Sequence, residues 1–132
     1  INITPLQTKV SLNYSSAEVR DIAPFVRANT SKKQGFFYYK LSIWNPTQAL
    51  MFYSDRFLEG LSIDSENLFK KMEENPKSTW LAGVPEFKDL EKEFPGKFYL
   101  IYSNQKFSYF TLMQNRENVI YDFSHIKHPV IR

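Results

Sequence analysis

The sequence predicts a single α+β domain: an antiparallel sheet of about five strands, a helical middle segment and a C-terminal three-strand meander. Three observations predict it. Aromatic and β-branched runs lie towards both ends, "TKVSLNY" and "FFYYKLSIW" first and "GKFYLIYSNQKFSYFTLM" later. Between them, apolar residues recur at helical spacing. The 132 residues contain no internal repeat, low-complexity tract or Gly/Ser linker, and a chain of that length suits one core.

The elements follow in order. In residues 8–14, Val10, Leu12 and Tyr14 alternate with Lys9, Ser11 and Asn13, the pattern of a strand with one wet face. Ser15-Ser16-Ala17-Glu18 offers a capping box, and Val19, Ile22 and Val26 continue a helix that Pro24 is expected to kink or end. "NTSKKQG" reads as a loop. "FFYYKLSIW" (36–44) reads as a strand, apolar on both faces at its start. Asn45-Pro46 starts a helix whose stripe is Leu50, Tyr53, Phe57 and Leu61. Asp64 starts the next, with Ile63 and Leu68 at the positions of a hydrophobic staple and Asn75-Pro76 as its stop. "KSTWLAGVP" is expected to be a loop carrying Trp80. A third helix, about 85–94, opens on Pro85 and closes at Pro95-Gly96. Strands at 97–103, 106–113 and 118–126 complete the meander, with a turn at Asn104-Gln105. At the level of topology this order resembles PAS-like and profilin-like sensor folds, a likeness that carries no function with it.

Composition narrows the chemistry. Hydrophobic residues at 42% and charged residues at 23% are ordinary, whereas 17% aromatic is high. Each buried ring removes roughly 150–250 Å² from water, enough that neither disulfide nor metal is needed for stability. Cysteine is absent, which excludes disulfides, thiol nucleophiles and Cys-ligated metal. The glycines Gly35, Gly60, Gly83 and Gly96 stand alone, so no phosphate-cradling glycine loop is present. No apolar run reaches the roughly 18 residues of a membrane span, and the chain is expected to be soluble. It opens on Ile1, which fits a processed, exported chain as well as a trimmed one. Sequons at Asn2, Asn13 and Asn29 matter only in a eukaryotic secretory setting.

Candidate reactive groups are sparse. Asp122, His125 and His128 would converge on a metal or proton only if the chain turned before Pro129, and a strand end in solvent explains them more simply. Ser15, Ser54 and Ser103 lie in no nucleophile elbow. The carboxylates of residues 55–93 alternate with lysines, as on a solvated helix face. "KFSYFTLM" has the aromatic rhythm of an RNA-binding strand, but Phe107 and Tyr109 stand where that motif needs small residues. Charge is segregated, with net +4 over residues 1–40, −4 over 41–96 and +3 over 97–132; the basic groups are dispersed, which argues against nucleic acid.

On strand 97–103 Phe98, Leu100 and Tyr102 face one way and Tyr99 and Ile101 the other, and neither hairpin strand has a polar face. With three helices covering one side and only the N-terminal helix left for the other, a Tyr-rich face is expected to be partly bare. The expected binding residues are Tyr99, Tyr109, Tyr38, Tyr102 and Lys106, without cofactor or metal. The function this implies is a non-catalytic protein-interaction module, an extracytoplasmic accessory subunit of a larger assembly that meets a protein partner or a second copy of itself. The rival is a small-molecule sensor with an apolar pocket between sheet and central helices.

Overall fold

The computed structural model describes residues 17–40, 47–61 and 63–121. Along them run α1 (residues 17–29), β1 (Phe36–Tyr39), α2 (Thr47–Ser54), β2 (Leu58–Leu61), α3 (Ser65–Glu74), β3 (Trp80–Gly83), α4 (Val84–Glu93), β4 (Phe98–Ser103), β5 (Phe107–Leu112) and a 3₁₀ turn, Met113–Asn118. The strand expected at 8–14, the capping box at Ser15-Ser16 and the residues Asp122, His125 and His128 lie outside the described residues.

Among the described residues the sheet has five strands in the order β2-β1-β3-β5-β4, and it is mixed. β1 pairs in parallel with both β2 and β3, while β3–β5 and β5–β4 are antiparallel. This corrects the antiparallel sheet expected from the sequence, and parallel crossovers also separate the chain from the meandering PAS-like order. Among the described residues the C-terminal meander has two strands. Where a third was expected, the 3₁₀ turn runs to Asn118 and residues 119–121 are not strand.

Crossover handedness sets the layers. A right-handed β-α-β connection places its helix on a face that depends on the direction of travel across the sheet. The chain steps from β1 outwards to β2 and then back over β1 to β3, so α2 and α3 fall on opposite faces. One core accordingly joins Val19, Ile22 and Val26 of α1 and Leu50 of α2 to Phe36, Leu81 and Tyr109. The other joins Leu68 and Met72 of α3 and Phe87 and Leu90 of α4 to Trp80, Phe98 and Phe110. Among the described residues each face therefore has two helices, where the sequence suggests three against one.

Local signals explain most helix ends. Asp64 caps α3, its side chain accepting from the Asn67 N–H at 2.8 Å. Pro85 lies in the first turn of α4, where a missing N–H costs nothing. α1 passes through Pro24, which sits on its exposed side, and continues to residue 29. α2 stops at Ser54 because Asp55 turns to φ 55°, in the left-handed region. The stripe from Tyr53 to Phe57 and Leu61 is thereby broken, and Leu58–Leu61 becomes the edge strand β2. The segment read as a loop around Trp80 is β3, paired on both sides.

Candidate functional site

The residues expected to form a bare face are placed beneath α1. Tyr38, Tyr102 and Tyr109 are buried, at 7%, 1% and 0% exposure, and Tyr99 is half-buried against the same core. A register shift between Leu100 and Tyr102 carries Tyr102 onto the α1 side beside Ile101, not onto the side of Phe98. Lys106 is exposed and pairs with Glu18 of α1 at 3.3 Å.

Polar groups fasten this cover. The Tyr102 hydroxyl donates to both carboxylate oxygens of Asp21, at 3.0 and 2.8 Å. Asn104 donates to the same carboxylate and to the Glu18 carbonyl, while its own side-chain oxygen receives the N–H groups of Lys106 and Phe107. The hairpin turn and α1 are thus closed on one another.

Burial raises the phenol pKa of Tyr38, Tyr102 and Tyr109 above the ordinary 10, with Glu86 adding to Tyr38 and Asp21 to Tyr102. These phenols stay neutral in the fold while unfolded tyrosines ionise near pH 10. Their contribution to stability is whole below that pH and is lost progressively above it, as the pH rises towards and through their raised folded-state values.

The hydroxyls of Tyr109 and Thr79 neighbour each other, yet neither has a partner in hydrogen-bonding geometry among the described residues. Two similar substitutions should therefore behave differently. Tyr102→Phe is expected to cost roughly 1.5–3 kcal/mol, because it takes a donor from a carboxylate. Tyr109→Phe is expected to be neutral or stabilising, since the hydroxyl removed is desolvated without return. Urea unfolding compares them, and a greater loss in Tyr109→Phe would mean that its hydroxyl is bonded.

Exposed apolar surface gathers elsewhere, at the end of the sheet where β1, β2, β3 and β4 begin. All four helices end there, because each precedes one of those strands. Phe52, Phe57, Ile120 and Tyr121 are the large apolar side chains exposed among the described residues, at 77%, 64%, 64% and 54%. Their segments are tied around the C-terminus of α1. Arg56 donates to the carbonyls of Arg27 and Thr30 and to the Thr30 hydroxyl, at 3.1–3.2 Å, where a cation also suits the helix dipole. Asn29 accepts the Tyr121 N–H at 2.7 Å and donates to the Phe25 carbonyl. Asn29 is 4% exposed, so this sequon residue is a buried tether and is closed to glycan attachment.

Charge on this end leans basic. Arg27, Lys32 and Lys33 are exposed, with Asp55 paired to Lys32 at 3.2 Å. No acidic residue occurs anywhere from 22 to 54.

The sequence pointed past these residues. The helical spacing places Phe57 on a buried stripe, but the helix ends three residues before it. Phe52 carried a usable signal: two residues on from the buried Leu50, it stands on the opposite side of α2.

Among the described residues, no group of three or more His, Asp or Glu is placed to hold a metal ion, and no helix is long and apolar enough to cross a membrane. No protein-family model matches the chain, and neither a characterised protein nor a solved structure matched it. The fold and this surface define an α+β domain with an apolar, basic-rimmed end.

Proposed function

We propose that the protein is a non-catalytic interaction module that docks a protein partner on the end bearing Phe52, Phe57, Ile120 and Tyr121. The observation that carries this reading is the convergence of those four exposed side chains on segments bonded to one another around α1. Apolar groups held in place on a polar rim are what interfaces use. The Arg27, Lys32 and Lys33 rim favours a partner that presents carboxylates beside its apolar contacts. This suits an accessory subunit of a larger assembly, including an extracytoplasmic one. It moves the contact surface from the sheet tyrosines, which face α1, to the helix ends.

Light scattering over a concentration series, with native mass spectrometry of the purified protein, is expected to show a co-purifying chain or a mass that grows with concentration. The double variant Phe52→Ser, Phe57→Ser should abolish either one while shifting stability by no more than ~0.5 kcal/mol per site, as exposed positions do. A strict monomer carrying a small bound mass would sink this reading and favour a small-molecule sensor.

A further inference from the structure

A separate feature lies on the α3 side of the same end. Between the C-terminus of α3 and the loop before β1 is an open cleft of about 470 Å³, within the range of small-molecule sites. Its chemistry comes from Phe37, Gln34, Asn75, Asn118, Glu74 and Lys77. Phe37 is half-buried and stacks on Trp80, with ring centroids 4.5 Å apart.

The three carboxamides are held in a common way. Gln34 donates to the Lys77 carbonyl at 2.8 Å, Asn75 to the Lys71 carbonyl at 2.9 Å and Asn118 to the Pro76 carbonyl at 3.2 Å. Each nitrogen has a second N–H beyond the one used, and each carboxamide oxygen receives no donor from the described residues. The cleft therefore offers three fixed donor–acceptor edges around an aromatic ring.

Elimination narrows the ligand. A cation would meet Lys77 and also Lys71, whose ammonium stands 5.5 Å from the Phe37 centroid. An anion would meet Glu74 and the three amide oxygens. A purely apolar group would strip water from the carboxamides and give nothing back. Neighbouring hydroxyls fit: each pair can donate to a carboxamide oxygen and accept from its N–H, while C–H groups rest against the part of Phe37 that lines the cleft, its two faces being taken by Trp80 and Lys71. We propose that this cleft binds a neutral, hydroxyl-rich ring, the chemistry of a sugar unit. The proposal is independent of the protein-docking surface.

The test is a two-dimensional ¹⁵N–¹H NMR titration with cellobiose, maltose and N-acetylglucosamine as probes. At least one probe is expected to move the side-chain amide signals of Gln34, Asn75 and Asn118 together and saturably. The joint variant Gln34→Ala, Asn118→Ala, at two exposed positions, should weaken that binding at least ~10-fold, about 1.4 kcal/mol. The Phe52→Ser, Phe57→Ser protein should bind as wild type does, so failure of the docking surface and failure of the cleft are told apart. The proposal is overturned if no probe shifts these signals at up to about 50 mM, well above a millimolar Kd. It is equally overturned if the shifts fall elsewhere, if the joint variant still binds normally, or if arginine amide or an acidic tripeptide moves the same signals more strongly than any sugar.

Discussion

Replacing Gly35 by alanine is expected to lose on the order of 3 kcal/mol of folding stability, while the same change at Gly96 loses about 1 kcal/mol. Both glycines have positive φ, +67° and +73°, so the backbone penalty for an L side chain is shared. Their surroundings differ. A Cβ on Gly35 would lie 2.6 Å from the Phe57 carbonyl oxygen, whereas one on Gly96 meets nothing within 4 Å. That carbonyl cannot simply swing aside, because it accepts the Phe36 N–H at 2.9 Å where β1 and β2 begin to pair. The contact is backbone against backbone, and relieving it means parting the edge of the sheet. Urea unfolding of both variants isolates the difference, and equal losses would mean that this edge yields without cost.

Trp80→Ala is expected to cost about 4 kcal/mol, near the upper end for truncating a buried aromatic. The indole is fully buried, stacks on Phe37 and donates to the Ser78 hydroxyl at 2.8 Å. It sits on the strand that joins the parallel half of the sheet to the antiparallel half. The cavity is therefore bounded by backbone paired on both sides, which has little freedom to collapse inwards. Ser78→Ala separates the hydrogen bond from the packing and should cost about 1–3 kcal/mol by leaving the indole N–H unsatisfied. A loss below 2 kcal/mol for Trp80→Ala would mean that Phe37 and its neighbours refill the space.

Elements that announce their own ends were legible in the sequence. α3 has Asp64 and Asn75-Pro76, α4 has Pro85 and Pro95-Gly96, and the β4–β5 hairpin has Asn104. The three parallel strands are harder to read, because each is four residues long, and β1 and β3, enclosed on both faces, have no polar alternation to betray them. β1 is betrayed by its density of aromatics. β3 was masked by the Gly and Pro that flank Trp80, Leu81 and Ala82. β2 was hidden by coincidence, since Phe57 and Leu61 continue the helical spacing of Tyr53 after the helix has ended. Missing β2 and β3 removed the parallel crossovers, and with them the reason for two helices on each face. With two helices on the α1 side, Tyr38, Tyr102 and Tyr109 are covered and not bare. The exposed Phe52 and Phe57 depend on Asp55 adopting a left-handed turn, a choice open to Asp but not announced by it.

The place of β3 in the sheet also has a bearing on synthesis. Gly83 pairs with Phe107 and Trp80 with Phe110, so the nascent chain delivers β3 well before the strand that completes it. Throughout that interval β3 has β1 on one side and an open row of backbone donors and acceptors on the other. A chain that has emerged through α4 but not yet through β5 holds β3 as an open sheet edge, the form in which incomplete domains associate wrongly. Arrival of the last hairpin closes that edge and seals the indole inside, which makes the C-terminal third of the described chain the part that protects what was made before it.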